Sequence, residues 1–133
     1  MEYILVDTTV WIDYYIGSNN QEVNILIDLL NDRNSIVSTC PIIVQEVLQG
    51  FKSDKEFKMV QDDLLLLNPL EIDSYVAAIE AAILYRELRK KGLTIRKPND
   101  CLIAYYAIAK SHKLLHRDKD FKTIASASHL QVF

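Results

Sequence analysis

The stretches Ile4-Leu5-Val6-Asp7 and Leu114-Leu115-His116-Arg117-Asp118 decide the fold of this chain, because each is a short apolar run that leads to an acid. Such runs predict buried strands of an α/β sheet. In open α/β sheets, ligands bind just beyond the carboxyl ends of the strands. If the two strands are parallel neighbours, Asp7 and Asp118 meet at one edge of the sheet. Carboxylates held close together repel one another, and a divalent cation is the simplest compensation.

Helical and extended segments alternate along the chain. Apolar and β-branched runs predict strands over residues 3–7, 35–39, 65–69, 114–116 and 130–133. Helical spacing and end signals predict helices over residues 10–15, 21–31, 41–50, 54–63, 74–91, 98–111 and 121–127. Thr8 or Thr9 is the expected cap of the first helix. The alternation predicts a single α/β domain over residues 1–133, with three layers (α/β/α) and a mainly parallel sheet of four to five strands.

The composition is that of an ordinary globular domain. Hydrophobic residues make up 50% of the chain and charged residues 25%. No apolar stretch approaches the roughly 18–20 residues of a membrane span, and the start lacks the pattern of a secretory signal, so we expect a cytoplasmic protein. Cys40 and Cys101 are isolated and are expected to fill the core. His112 and His116 have zinc-compatible spacing, but a helix end and a strand are predicted across them, which argues against zinc.

The net charge of −3 hides an asymmetry between the two halves of the chain. Residues 1–66 carry 4 Lys and Arg against 11 Asp and Glu, a net −7, whereas residues 67–133 carry 11 against 7, a net +4. The cations of residues 86–91 alone are better explained by the preference of helix C-termini for positive charge. The basic set as a whole predicts a surface that faces the phosphates of a polyanion.

Four acids, Asp7, Glu46, Asp100 and Asp118, are the candidate catalytic residues. Two of them follow predicted strands, and the other two lie on helices after the second strand and before the fourth. In a doubly wound sheet these segments converge, and their oxygen ligands select Mg²⁺ or Mn²⁺. Taken singly, each acid is better explained as a helix cap, a loop residue or a surface charge. Taken together, with two acids at strand ends, they favour a site.

The segments that carry these acids resemble the motifs of a known family. The segments are Val6-Asp7-Thr8-Thr9-Val10-Trp11-Ile12, Gln45-Glu46-Val47-Leu48-Gln49-Gly50, Asn99-Asp100-Cys101-Leu102-Ile103-Ala104 with Ala107, and Leu114-Leu115-His116-Arg117-Asp118-Lys119-Asp120-Phe121. In this order, and across the whole chain, they are similar to the motifs of PIN-domain nucleases. They resemble in particular the VapC toxins of bacterial and archaeal toxin–antitoxin pairs.

The resemblance implies a metal-dependent endoribonuclease that hydrolyses RNA phosphodiester bonds with a metal-activated water. The four acids carry over as catalytic residues and as ligands of Mg²⁺ or Mn²⁺. Thr9 matches a hydroxyl position that supports the first acid, and Asn99 belongs to the third motif. His116 stands where many relatives have Thr, and it either contacts RNA or packs at the strand end. Asp120 either supports Asp118 or replaces it as the direct ligand.

The expected partners follow from the same resemblance and from the basic residues. Arg96, Lys97, Arg117 and Lys119 are predicted to contact RNA phosphates. Transfer RNA is a reasonable substrate, and the toxin class implies a cognate VapB-like antitoxin and a homodimer. Apolar helical surface, including Trp11 or residues 21–31, can serve these contacts, although we expect most of those side chains in the core.

Three other functions fit parts of the pattern. A receiver-type phosphoacceptor domain needs an aspartate at the end of the third strand, where this chain has Asn68-Pro69. A haloacid-dehalogenase-like phosphatase needs an aspartate two positions after the first, where Thr9 stands. In a non-catalytic binding domain the acids would be only caps and surface charges, and Mn²⁺ would not stabilise the protein.

Overall fold

The computed structural model describes residues 1–133, which form one five-stranded sheet with seven helices. The strands are β1 (Glu2–Val6), β2 (Ser35–Thr39), β3 (Asn68–Pro69), β4 (Lys113–Leu115) and β5 (Gln131–Val132). They lie in the order β3-β2-β1-β4-β5, and every neighbouring pair is parallel. The predicted fold class is confirmed, with five strands and no antiparallel pair.

The helices supply the crossover connections that parallel strands require. They are α1 (Thr8–Tyr15), α2 (Gln21–Asn31), α3 (Pro41–Leu48), α4 (Asp54–Leu64), α5 (Ser74–Lys90), α6 (Pro98–Ala109) and α7 (Lys119–Ser126). Helices α1 and α3 pack together and contact α2 and α4, while α5 and α7 both pack against α6. None of the seven combines the length and the apolar character that a membrane-spanning helix needs.

The strand order reverses between β1 and β4. From β1 the chain builds outward through β2 and β3, and it then returns to place β4 on the other side of β1. The register pairs Val6 with Leu115, so Asp7 and His116 leave the sheet side by side. A backbone hydrogen bond of 2.9 Å from the Asp7 amide to the Leu115 carbonyl closes this corner. Open α/β sheets bind ligands at such switch points.

The central strand is buried on both faces. Ile4, Leu5 and Val6 are fully buried, as expected for a strand covered by helices on each side. Cys40 and Cys101 are both buried and free, which confirms their prediction as core residues. Trp11 is 2% exposed, so it belongs to the core of this chain and offers no surface for a partner.

Several predicted bounds are wrong. The predicted strand over residues 65–69 is reduced to Asn68–Pro69, because the preceding leucines form the turn that follows α4. Thr8 and Thr9 lie inside α1, and Asp7 occupies its N-cap position. Helix α6 ends before Ser111, which adopts a positive φ of 54°.

Helix α7 begins at Lys119, two residues earlier than predicted, because the Asp118 carboxylate caps it by accepting from the Asp120 amide at 2.9 Å. Glycine ends α5 as predicted: Gly92 has a φ of 82°, a left-handed conformation that glycine adopts without strain.

Candidate metal centre

Three acids meet beyond the carboxyl ends of β1 and β4. Asp100 lies in the first turn of α6, Asp118 follows β4, and Asp120 lies in the first turn of α7. One carboxylate oxygen from each lies within 4.8 Å of the other two. Asp100 is 6% exposed and Asp120 is 5% exposed, so water does not separate the charges effectively. The arrangement is a compact, mostly buried set of oxygen ligands.

Two oxygens of this cluster have no hydrogen-bond partner. They are Oδ2 of Asp100 and Oδ2 of Asp120, and both are buried. Buried carboxylate oxygens are almost always hydrogen-bonded or bound to a cation, because leaving them unpaired is costly. Oδ2 of Asp100 forms no ion pair either, which indicates that the cluster is built for a partner outside the chain.

Asp7 lies next to the cluster, at the end of β1. It is 3% exposed, and its Oδ2 accepts a hydrogen bond of 3.0 Å from the Thr9 hydroxyl. Glu46, on α3, accepts a hydrogen bond of 2.7 Å from the Thr8 hydroxyl. The two consecutive threonines at the start of α1 thus orient two of the four predicted acids, one each.

Burial and nearby negative charges raise the pKa values of two of the acids. The pKa of Asp7 is raised from 3.8 to about 6, chiefly by loss of solvation and to a lesser extent by the negative charge of Glu46, while the hydrogen bond from Thr9 acts to lower it. The pKa of Asp100 is raised from 3.8 to about 7 by loss of solvation, the largest cause, together with the charges of Asp7 and Asp118. Asp7 is therefore close enough to Asp100 to destabilise its ionised form. A bound cation would reverse both effects.

Asp118 is held in its ionised form. Partial burial acts to raise its pKa, but the pKa is lowered overall because the carboxylate accepts from the Asp120 amide and from Lys97. Lys97 Nζ lies 3.4 Å from Oδ2 of Asp118, and the Arg96 guanidinium lies 3.6 Å from Oδ1. Arg96 also reaches Asp120, at 3.5 Å from Oδ2. Two of the four cations predicted to bind RNA are thus paired with acids of the cluster.

The other two predicted RNA contacts have different surroundings. The Arg117 guanidinium forms an ion pair with Asp13 of α1 and lies 3.6 Å from Oε2 of Glu22 on α2. Lys119 is exposed, at the start of α7, and forms no ion pair. Arg117 is therefore directed towards α1 and α2, and its predicted contact with RNA requires that these two acids release it.

His116 and Asn99 lie outside the cluster. His116 is 7% exposed, its ring packs at a tilt against Phe121 with 5.3 Å between centroids, and its Nδ1 accepts from the Asp118 amide at 3.2 Å. Of its two predicted roles, this geometry matches packing at the strand end, where the ring holds the Asp118 backbone in place. Asn99 is exposed and lines the groove between α5 and α6.

The structure adds residues that the sequence did not single out. Thr8 was considered only as a helix cap, although its hydroxyl holds Glu46. Asp13 anchors Arg117 and also accepts from Asn20 at 3.3 Å. The adjacent hydroxyls of Thr8 and Thr9 were a usable signal for the first of these contacts. No local pattern could have revealed the second, because Asp13 and Arg117 come together only through the fold.

The residues present fit a divalent metal ion. Carboxylate oxygens are the ligands that Mg²⁺ and Mn²⁺ prefer, and no thiolate or imidazole belongs to the cluster. The unpaired Oδ2 of Asp100 and the raised pKa of the same residue each indicate a missing positive charge. Asp100, Asp118 and Asp120 would hold the ion, with Asp7 beside them.

Comparison with known proteins agrees with this architecture. A family model for the PIN domain matches residues 4–127, and the chain therefore belongs to the PIN-domain family. It is 33% identical over 128 residues to the VapC ribonuclease Mb1587 of Mycobacterium bovis and to the ribonuclease VapC11 of Mycobacterium tuberculosis, with 96% of each chain covered. Within the PIN domains, the chain belongs to the VapC ribonucleases. This membership removes the receiver and dehalogenase alternatives.

Solved structures show the same fold. VapBC2 from Rickettsia felis, bound to a DNA fragment from its promoter, aligns with a TM-score of 0.73 at 22% identity, covering 98% of this chain and 97% of that chain. VapBC-1 from nontypeable Haemophilus influenzae aligns with a TM-score of 0.69 at 19% identity, covering 100% and 97% of the two chains. Both similarities extend over the whole sheet and its helices.

Proposed function

We propose that residues 1–133 form a single PIN domain that acts as a metal-dependent endoribonuclease, the toxin of a VapBC-type pair, in the cytoplasm. The observation that carries the proposal is the buried acid cluster at the β1/β4 switch point, in which Oδ2 of Asp100 has no partner in the chain and Oδ2 of Asp120 has no hydrogen bond. Membership of the VapC ribonucleases supplies the reaction class. The cluster supplies the chemistry that this class needs.

Mg²⁺ or Mn²⁺ is the proposed cofactor, held by Asp100, Asp118 and Asp120 with Asp7 beside them. When bound, such an ion lowers the pKa of a coordinated water and stabilises charge on the phosphoryl oxygens. The chain itself fixes the ligands: Thr9 holds Asp7, and the Asp120 amide holds Asp118. Because these supports are short hydrogen bonds within one corner of the fold, the acids are positioned before any ligand arrives.

Glu46 is proposed to act from the edge of the cluster. The Thr8 hydroxyl fixes its carboxylate, and its charge raises the pKa of Asp7. It lies outside the set of three oxygens that approach within 4.8 Å of one another. We therefore assign Glu46 to orienting water or a second ion, while the main ligands come from the cluster.

RNA is proposed to approach from the side of Arg96, Lys97 and Lys119. All three are exposed and flank the acidic cluster on the segments that precede α6 and begin α7. Contacts to phosphate give affinity that falls as the salt concentration rises. Unpaired loops of a structured RNA, such as transfer RNA, present bases and phosphates that such a surface can reach.

Two protein partners are proposed, a VapB-like antitoxin and a second copy of the chain. The two solved structures described above are VapBC proteins, and this chain shares their fold. Helix α5 exposes an apolar stripe, with Tyr75 80%, Val76 47%, Ile79 60% and Ile83 41% exposed. A contiguous apolar stripe on one helix is typical of an interface. Light scattering tests the dimer, which a monomer at micromolar concentration would exclude.

Cleavage of total RNA with and without Mn²⁺, followed by mapping of the cut ends, tests the activity. The informative variant is Asp100→Asn, which keeps the side-chain shape and removes a ligand charge. The matched control is Asp62→Asn, because Asp62 is an exposed acid paired only with Lys58 at 3.0 Å. We expect Asp100→Asn to lose at least about 100-fold in cleavage rate and the control to keep it. Full cleavage by folded Asp100→Asn protein would refute the site.

A further inference from the structure

Two cations occupy the mouth of the acid cluster. Arg96 and Lys97 belong to the segment that joins α5 to α6, and both side chains are 61% exposed. Their partners are far less accessible, since the side chains of Asp118 and Asp120 are 11% and 8% exposed. The cations thus reach inward from solvent to acids that are largely withdrawn from it, which distinguishes them from ordinary surface ion pairs.

We propose that Arg96 and Lys97 compete with the divalent ion for Asp118 and Asp120, and that they bind RNA phosphate once they are displaced. Metal and RNA then bind cooperatively, because each frees the residues that the other needs. This inference rests on the proposed function, which supplies the metal and the RNA. It adds a coupling between the two ligands that resides in two named side chains.

The contacts of the carboxylate oxygens favour the exchange. Oδ2 of Asp118 is 3.4 Å from Lys97 Nζ, and Oδ1 is 3.6 Å from Arg96 while also accepting from the Asp120 amide at 2.9 Å. Arg96 additionally covers Oδ2 of Asp120 at 3.5 Å, an oxygen that has no hydrogen bond. An ion ligated by both acids therefore competes with these cations for the same oxygens.

The charge balance gives the exchange its direction. When all three acids of the cluster are ionised they carry three negative charges, and Arg96 and Lys97 offset two of them. A doubly charged ion adds two positive charges among the same groups, so it weakens the attraction of the two side chains for the acids. A phosphate at the mouth restores the balance, and Arg can bind it through two parallel hydrogen bonds.

Both side chains are free to make this change. They are long and 61% exposed, and neither is packed into the core, so they can turn from the acids into solvent without disturbing other side chains. The segment that carries them leads directly into α6, whose first residue is Pro98. The movement therefore requires no change of fold.

The first measurement is Mn²⁺ affinity without RNA, by paramagnetic resonance of free Mn²⁺, for the wild type and Arg96→Ala/Lys97→Ala. Removing the competitors should tighten Mn²⁺ binding about three- to tenfold. The matched control is Lys119→Ala, which removes one positive charge from the same region without breaking an ion pair. We expect it to change Mn²⁺ affinity less than about twofold, because only screened, longer-range attraction is altered.

The second measurement is the affinity for a fluorescent single-stranded RNA with and without Ca²⁺, with the RNA checked for integrity on a gel. In the wild type, Ca²⁺ should raise RNA affinity at least about fivefold, a coupling of ordinary size for linked sites. In the double variant the enhancement should fall below about twofold. Simple bridging of phosphate by the ion would instead leave the enhancement unchanged.

Unchanged or weaker Mn²⁺ binding by the folded double variant overturns the competition, and so does a wild type that binds no Mn²⁺. If Ca²⁺ raises the RNA affinity of the double variant as much as that of the wild type, the exchange is overturned. These outcomes are distinct from failure of the proposed function. A wild type that binds Mn²⁺ and cleaves no RNA refutes the nuclease, while the tightening of Mn²⁺ binding still decides whether Arg96 and Lys97 compete for the acids.

Discussion

Replacing Asp7 with asparagine should make the metal-free protein less sensitive to rising pH. Asp7 is 3% exposed, and its pKa is raised from 3.8 to about 6, chiefly by loss of solvation. Between pH 3.8 and about pH 6, this carboxyl therefore binds more protons in the folded state than in the unfolded state. The folded state therefore loses stability as the pH rises through that window, and it has lost the full amount above about pH 7.

The size of the effect follows from the same pKa values. Between pH 4 and pH 8, a carboxyl whose pKa is 3.8 unfolded and about 6 folded reduces the free energy of unfolding by about 2.5 kcal/mol. Asparagine does not titrate, so Asp7→Asn should lack this loss. The variant should also lower the pKa of Asp100, because the charge of Asp7 helps to raise it. Both consequences flatten the pH dependence.

The assay is urea unfolding in EDTA at pH 4 and pH 8, for the wild type, Asp7→Asn and the exposed control Asp62→Asn. The change in unfolding free energy between pH 4 and pH 8 is compared between proteins, so any pH-independent effect of the amide, such as an unpaired N–H, cancels. We expect the loss of unfolding free energy from pH 4 to pH 8 to be about 2–3 kcal/mol smaller in Asp7→Asn than in the wild type. Equal losses of unfolding free energy in the wild type and in Asp7→Asn would show that Asp7 is not held in a desolvated, repulsive position.

Three further outcomes are expected. Mn²⁺ affinity should rise steeply between pH 5.5 and pH 8, because Asp7 and Asp100 have pKa values of about 6 and about 7 and must lose their protons to bind an ion. Paramagnetic resonance titrations that give the same Mn²⁺ affinity at both pH values would contradict this. Arg117→Ala should weaken Mn²⁺ binding about tenfold by releasing the Asp118 loop from Asp13, and an Asp13→Asn variant with normal affinity would argue against that anchoring. Phe121→Ala should lower the free energy of unfolding by about 3–5 kcal/mol, because the side chain is fully buried, and a loss below 1 kcal/mol in urea unfolding would refute its place in the core.

Sequence patterns predicted the elements best where one physical signal dominated. Residues 21–31 and 35–39 were predicted with their observed bounds, because helical spacing and β-branched alternation are local and unambiguous there. The leucine run before Asn68 misled the prediction, since apolar content alone does not distinguish a strand from a turn. The strand order was not readable from any segment, although it decides which acids meet.

In the candidate site too, some features were predictable from local sequence and others depend on the fold. Sequence motifs named the four acids, but only the fold shows that Asp120 completes the cluster with Asp100 and Asp118, while Glu46 stays at its edge. The partners of the acids were equally hidden, because ion pairs between residues 96–97 and 118–120 depend on how the α5–α6 connection crosses the sheet edge. Motifs therefore identify the charged residues of the site, whereas the fold determines which groups each of them contacts.

The reversal of strand order at β1 accounts for both the activity and its energetic cost. Placing β4 beside β1 brings Asp118 and Asp120 to the corner where Asp7 leaves the sheet, and the first turn of α6 adds Asp100. The acids come from separate segments of the chain, so the fold has to hold them together against their mutual repulsion. The buried core around β1 and β4 supplies the stability that offsets this repulsion. The electrostatic repulsion is thus concentrated at the place where a cation can relieve it. Ion binding should therefore stabilise the fold by mass action.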